Sequence, residues 1–233
     1  MGTAITTLAD AALARLLAWT SPAYPVGGFS YSHGIEAAVE HGLCTGREGL
    51  VRHVRAALSA GAGAVDGPLL AACHRAAAAG DAPALDAAAE LAGAFRGTAE
   101  LALESLQQGG SFAAITAAAW PHPGFAAFAA RHRGRLAHAA AFGAAAGFHG
   151  LPLRAALFAF LSGFVANLVS AGVRLVPLGQ TDGQLATAAL LPDVQAAIAH
   201  ALATPAEEAG TATPVLDWLS MAHETQYTRL FRS

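Results

Sequence analysis

The chain has 233 residues, of which 55% are hydrophobic and 12% are charged, and its formal net charge is -3 at pH 7. This charge balance argues against a nucleic-acid partner, because nucleic-acid binding requires a clustered excess of basic side chains. The two cysteines form no CxxC pair, so neither a disulfide scaffold nor a structural zinc site is expected, and a reducing cytoplasm fits best.

The pattern along the chain is helical. Alanine and leucine dominate, and no stretch alternates apolar and polar residues as a half-buried strand would. Short breaks containing glycine or proline separate the apolar stretches, and none is long enough to link two domains. We therefore predict an all-α fold, a single domain over residues 1–233 with roughly eight to eleven helices.

The first block of chemical interest is SPAYPVGGFSYSHGIEAAVEHG at residues 21–42. Ser30 and Ser32 lie near His33, but the spacing is not that of a nucleophile elbow, and capping of a helix start is the commoner role of such serines. His33, Glu36 and Glu40 would share one face of a helix and could hold a metal. A single set of this kind is more often a polar face, since metal sites in bundles take ligands from several helices.

Three further stretches carry helix-start signals. Residues 45–48 and 204–207 each combine a threonine with a glutamate three residues later, which is the pattern of a capping box. Thr213 followed by Pro214 is the third signal, and we expect the final helix to begin there.

Residues 155–173 form an uncharged apolar stretch of 19 residues between Arg154 and Arg174. This length approaches that of a membrane span. The polar side chains spread along it and the lack of a second equally convincing span favour instead a buried central helix of a large helical protein.

Residues 105–181 contain no aspartate or glutamate but several arginines. A mostly buried helical layer with a few exposed arginines would explain this, and a cationic face for an acidic partner is the alternative. The following stretch VPLGQTDGQ (176–184) lacks the P-loop pattern, and a chain without lysine cannot supply the usual phosphate-binding ammonium. We therefore expect no catalytic residue, no metal ligands and no cofactor.

Three blocks in this order resemble the urease accessory protein UreF family. They are SPAYPVGGFSYSHGIEAAVE (21–40), RLVPLGQTDGQ (174–184) and HETQYTRLFRS (223–233), and a weaker block, ESLQQGGSFAAI (104–115), is similar to the central helical segment of the family. The resemblance covers essentially the whole chain.

This resemblance implies an all-helical cytoplasmic protein that forms a homodimer and joins the UreD/UreH accessory protein and the GTPase UreG. That assembly acts on apo-urease and couples GTP hydrolysis to nickel insertion. The UreF-like member would be a scaffold and a regulator of the GTPase without catalysis of its own, and residues 155–173 would be core rather than a membrane span. The alternative function is a stand-alone helical protein that handles a small ligand or a metal.

The resemblance also implies a set of partner-binding residues. They are Phe29, Tyr31, Glu36, Arg174, Gln180, Tyr227, Arg229, Leu230, Phe231 and Arg232. Glu36 and Arg174 match a charged pair tied to control of the GTPase step. Arg174 could act on developing phosphate charge, or the two side chains could form an ion pair that holds the first helix to the loop; both interpretations stay open.

The end of the chain, residues 224–233, is predicted to be a docking tail. Its aromatic and arginine side chains are typical of binding hot spots. We expect it to be disordered or loosely held in the lone protein and ordered on binding UreD/UreH, with Tyr227, Leu230 and Phe231 as buried anchors. The alternative is a tail packed permanently on its own core.

Overall fold

A computed structural model describes residues 8–233 and shows a single all-α domain, which confirms the predicted fold class. An N-myristoylation-like pattern at Gly2 and Thr6 lies outside the described residues. The α-helices of the described chain are α1 (Asp10–Trp19), α2 (Ile35–Glu40), α3 (Gly46–Ser59), α4 (Ala62–Ala79), α5 (Ala82–Ala94), α6 (Ala99–Ala119), α7 (Pro123–Arg131), α8 (His138–Phe148), α9 (Leu153–Leu175), α10 (Gln180–Ala189), α11 (Leu191–Ala203) and α12 (Pro214–Glu224).

α3 and α4 continue one another as one helical stretch over Gly46–Ala79. Counted as one helix, they leave eleven α-helices in residues 8–233, which agrees with the predicted eight to eleven. The final helix begins at Pro214, as predicted. Thr45 does precede α3, but its side chain makes no capping hydrogen bond. The signal at residues 204–207 produces only a short 3₁₀ turn, Ala206–Glu208.

The centre of the domain is the contact between α4 and α8. Every residue of α8 from Ala139 to Gly147 is buried, and α4 packs along it more extensively than any other pair of helices pack together. A methyl group added at Gly143 would overlap the carbonyl oxygen of Leu70, and one at Gly147 would overlap that of His74. The two glycines, four residues apart on one face of α8, therefore allow the two backbones to approach closely.

Residues 155–173 do form a helix, α9, but this helix is less enclosed than expected. Arg154, Phe158, Ala166, Ser170 and Arg174 recur along one face and are exposed, while the opposite face packs against the core. The fully enclosed central helix is α8 instead. Its alanines and glycines fit where larger side chains would not.

Two helical stretches of the described chain are long and apolar enough to cross a membrane by length and composition. They are Gly46–Ala79 and Leu153–Leu175, and the bent pair α10 and α11 could count as a third. In Gly46–Ala79, 72% of the most apolar 18-residue segment is buried inside the domain. In Leu153–Leu175, 50% of the corresponding segment is buried. Much of this apolar surface is thus used in packing between helices.

We expect Gly143→Ala to destabilise the domain by about 1 to 3 kcal/mol, because the added methyl group must push α8 away from α4. Urea unfolding followed by circular dichroism would measure the change. The matched control is Gly110→Ala in α6, where an added methyl group meets nothing within 4 Å. That substitution should raise the free energy of unfolding by about 0.5 to 1 kcal/mol. Equal effects of the two substitutions would contradict the close helix contact.

Candidate partner-binding surface

The segment before α2 has a backbone that turns sharply. Gly27 and Gly34 have φ angles of 74° and 77°, and His33 is a non-glycine residue with a positive φ of 56°. The helix begins only at Ile35, so His33 is not on the same helical face as Glu36 and Glu40, and the predicted common face is wrong. Residues 8–233 contain no group of three or more histidine, cysteine, aspartate or glutamate side chains that could hold a metal ion.

The carboxylate of Glu36 is the centre of the site. It is buried and accepts hydrogen bonds from the backbone N–H groups of Leu230, at 2.6 Å, and Phe231, at 2.8 Å. The Nε2 of His223 donates a third hydrogen bond at 3.1 Å. Glu36, near the start of the chain, therefore holds the last residues in place with charge-assisted hydrogen bonds.

Two glutamates of α6 extend this buried cluster. Glu100 accepts a hydrogen bond from His223 Nδ1 at 2.8 Å and lies 3.3 Å from Arg229 Nη1. Both ring nitrogens of His223 thus face carboxylates, Glu36 on one side and Glu100 on the other. The buried His223 ring therefore connects α2 with α6 through these two side chains.

Glu104, one turn further along α6, is held by the final residue of the sequence. The hydroxyl of Ser233 donates to its carboxylate at 2.9 Å, and His33 Nδ1 lies 3.3 Å away. Burial by itself would raise the pKa of Glu104, but the charge of His33 and the hydrogen bonds from His33 and Ser233 outweigh burial and lower it. Glu104 therefore stays ionised inside the domain.

The tail also pairs with the backbone of the N-terminal block. The N–H of Arg232 donates to the carbonyl of Ser30 at 2.8 Å, and the N–H of Ser32 donates to the carbonyl of Ser233 at 2.9 Å. The Ser32 hydroxyl donates to the same carbonyl. The structure therefore contradicts the expectation of a loosely held tail: hydrogen bonds hold the backbone of its last four residues, and Phe231 and Ser233 are buried.

Arg174 lies beside the tail but does not pair with Glu36. Its Nη2 donates to the carbonyl of Phe29 at 2.8 Å, and its guanidinium carbon lies 4.4 Å from the centre of the Phe231 ring. The expected Glu36 to Arg174 ion pair is wrong, since each group has other partners. Partial burial lowers the pKa of Arg174 from its usual value, but an arginine in this setting remains charged.

The structure divides the expected partner-binding residues into two groups. Tyr31, Glu36 and Phe231 are buried, and the Tyr31 hydroxyl donates to Gln107 at 2.6 Å. These three support the site from inside the domain, and their contact with a partner stays a prediction. Gln180 is exposed at the start of α10 and takes no part in the hydrogen bonds around the tail.

The remaining six residues are exposed; four belong to the docked tail, and the other two lie beside it. We call them the tail surface: Phe29, Arg174, Tyr227, Arg229, Leu230 and Arg232. Tyr227 is fully exposed and Leu230 is 66% exposed, although their neighbour Phe231 is buried. Aromatic and arginine side chains held on a rigid support are the residues that dominate binding hot spots.

A model of the UreF family matches residues 44–191 of the chain. The urease accessory protein UreF of Granulibacter bethesdensis is 60% identical over 224 residues, which cover 96% of this chain and 95% of that protein. The chain belongs to the UreF family.

Other UreF relatives match over similar lengths. The urease accessory protein UreF of Rhodopseudomonas palustris (strain BisB5) is 49% identical over 224 residues, covering 96% of this chain and 92% of that protein. The urease accessory protein UreF of Methylorubrum populi is 49% identical over 220 residues, covering 94% of this chain and 98% of that protein. The UreF resemblance drawn from the three sequence blocks is thus confirmed.

Several residues of this UreF site were not found from the sequence. Glu100, Glu104 and His223 make several of its hydrogen bonds, but no motif in the sequence singled them out. One signal was present: Glu100 and Glu104 are four residues apart in a helix whose other positions are mostly apolar, which places two carboxylates on one face.

We expect Glu36→Gln to destabilise the domain by about 3 kcal/mol and to release the tail. The glutamine has only one acceptor oxygen, so its amide N–H₂ would face one of the N–H groups of Leu230 and Phe231. Hydrogen exchange of these two amides, measured by NMR, should become much faster.

The matched control is Glu40→Gln, which removes the same charge from an exposed position of the same helix. Its effect should stay within about 0.5 kcal/mol. Slow exchange of the Leu230 and Phe231 amides in Glu36→Gln would show that the carboxylate does not hold the tail.

Proposed function

We propose that this chain is a urease accessory protein that acts in the maturation of urease as a non-catalytic scaffold. The relatives that match almost its whole length bear that name, which supports the proposal. In detail, we propose a cytoplasmic protein, without a membrane-spanning part, that forms a homodimer and joins UreD/UreH and the GTPase UreG. This assembly would deliver nickel, as cargo, to apo-urease.

The observation that carries the scaffold role is the tail surface. Leu230 projects an apolar group from a backbone that Glu36 holds by hydrogen bonds at 2.6 and 2.8 Å to the N–H groups of Leu230 and Phe231, and the exposed Tyr227 lies three residues before it. Because the backbone is already ordered, a partner would not have to order it on binding, and less binding energy would be lost. We therefore propose that UreD/UreH binds here, on a preformed surface and not on a loose tail.

Arg174 is the residue that we propose for control of the GTPase step. It uses Nε and Nη2 in hydrogen bonds to the carbonyls of Ser170 and Phe29 and remains exposed at the edge of the tail surface. A fixed guanidinium of this kind can stabilise the charge that develops on phosphate during transfer. Since Arg174 forms no ion pair with Glu36, its charge is available for such a contact.

We expect the double substitution of Tyr227→Ala and Leu230→Ala to abolish co-purification with UreD/UreH while changing Tm by less than about 2 °C, because both side chains are exposed. Affinity purification of the tagged chain, co-expressed with UreD/UreH and UreG, would measure capture. The matched control is Leu191→Ala, since Leu191 is 44% exposed and lies outside the tail surface.

Normal capture of UreD/UreH by the folded double variant would overturn the assignment of this surface. Failure of the unsubstituted chain to capture either accessory protein would overturn the scaffold role itself. The two results are distinguishable, because only the second concerns the unsubstituted protein.

We expect Arg174→Ala to lower GTP turnover of the assembled complex at least tenfold, because the substitution removes the charge that would stabilise the transferring phosphate. Its stability should fall by only about 1 to 2 kcal/mol, for the two lost hydrogen bonds at a partly exposed position and the lost stacking on Phe231. Arg154→Ala removes an exposed arginine from the same helix and is the control. Unchanged turnover in a complex of normal composition would leave Arg174 a purely structural role.

A further inference from the structure

A cavity lies between the N-terminal block and the helices that pack beneath it. Its volume is about 210 Å³. Its walls come from the C-terminal end of α1, from residues 20–33, and from α4, α6, α8 and α9. Because a cavity of ~150 Å³ can already hold benzene, this one has room for a small ring with a polar substituent.

The cavity opens to the outside beside the tail surface. Pro22, Phe29, Ala166 and Ser170 line it and are exposed residues. The mouth therefore lies between the segment that follows α1 and the exposed face of α9. A small molecule can reach the cavity from solvent through this opening.

Aromatic rings form much of the inner wall. Phe142 and Phe160 both line the cavity, and their ring centres are 5.4 Å apart. The ring of Trp19 lies 5.5 Å from that of Phe142. The ring of His138 lies 5.2 Å from that of Phe160. Trp19 and His138 also both contact Phe112, at 5.5 and 5.6 Å, so the two polar rings belong to one aromatic cluster on the wall of the same cavity.

Several polar atoms of this wall have no hydrogen-bond partner within residues 8–233. Trp19 is 3% exposed, and its Nε1 is buried without an acceptor. His138 makes no hydrogen bond there. Asp66 is 8% exposed and uses only Oδ1, which accepts a hydrogen bond from Arg96. Since buried polar groups nearly always have partners, an indole donor, an imidazole and a carboxylate oxygen around one cavity point to a polar guest.

The charges on the wall favour an uncharged guest. Asp66 and Glu104 line the cavity and repel an anion, and Arg96 is already paired with Asp66. A cation is disfavoured as well. Burial lowers the pKa of His138 to about 4, although Asp66 and Glu104 act in the opposite direction. Because two carboxylates do not keep even this imidazole charged, the cavity suits a neutral molecule.

We propose that this cavity binds a small, neutral, planar molecule that carries an amide group. The amide carbonyl accepts a hydrogen bond from Trp19 Nε1, and the amide N–H₂ donates to Asp66 Oδ2 and to the unprotonated nitrogen of His138. A flat ring attached to the amide packs against Phe142 and Phe160. An amide offers an acceptor and donors within a few bonds, which matches a wall that offers both.

Benzamide is the probe for this site, and the indole N–H groups are the reporters. The chain has three tryptophans, Trp19, Trp120 and Trp218, and only Trp19 lines the cavity. In NMR spectra of the isotope-labelled whole chain, benzamide should move the indole signal of Trp19 in a saturable manner. For a ligand of this size we expect a Kd on the order of 1 mM or tighter. The Trp19 signal is the one that remains in both Trp120→Phe and Trp218→Phe.

Three comparison compounds separate the contributions to binding. Benzoate and benzamidine have nearly the shape of benzamide but carry a negative and a positive charge, and toluene keeps the ring without the amide. Each should bind about tenfold more weakly or worse, because the wall penalises a charge and leaves its polar atoms unpaired beside toluene. Equal binding of any of the three would overturn the proposal. No shift of the Trp19 signal with benzamide would show a cavity that holds water only, and would overturn it too.

Trp19→Phe removes the indole donor and keeps an aromatic ring. The substitution should raise the Kd of benzamide about tenfold, measured by the shift of the backbone amide of Gly163, which also lines the cavity. The matched control is Trp218→Phe, since Trp218 is 45% exposed on α12, and its Kd should be unchanged. If Trp19→Phe does not fold, His138→Phe gives the same test by removing the imidazole. Undiminished benzamide binding in the folded variant would contradict the site.

Discussion

Three carboxylates buried in one part of an all-helical domain are the constraint on which the functional end of this protein depends. Glu36, Glu100 and Glu104 are each at most 9% exposed. A buried charge without partners would cost several kcal/mol, so each must be paired within the fold. The partners come from α12, from the tail and, for Glu104, also from His33. The segment around α2 and the tail are therefore ordered together.

The helical core places those carboxylates. The glycines of α8 let α4 approach it closely, and Gly109 of α6 lies against the backbone of Leu136, just before α8. A methyl group at Gly109 would overlap the Leu136 carbonyl, so α6 has little freedom to shift against this layer. Glu100 and Glu104 therefore have fixed positions on α6, and the tail binds both of them in a single alignment.

The fold class could be predicted because helical patterning is local, and the start of α12 at Pro214 was found for the same reason. The UreF family could be recognised from its blocks. The partners of Glu36 could not be predicted, because they lie 194 and 195 residues away in the sequence and bind through backbone N–H groups that every residue other than proline carries. The central place of α8 was also not predicted, because the sequence pattern does not show which helix packs its alanines and glycines against the backbone of α4.

The docked tail has a consequence for how the protein is made. Ser32 leaves the ribosome 201 residues before Ser233, the residue it binds. At about 5 to 20 residues per second, this delay is on the order of 10 to 40 seconds. During that time the nascent chain carries Glu36 without its N–H partners, beside helices that are already able to form. This part of the fold therefore forms only after residues 230–233 have been made, and a chain that lacks these four residues cannot complete it.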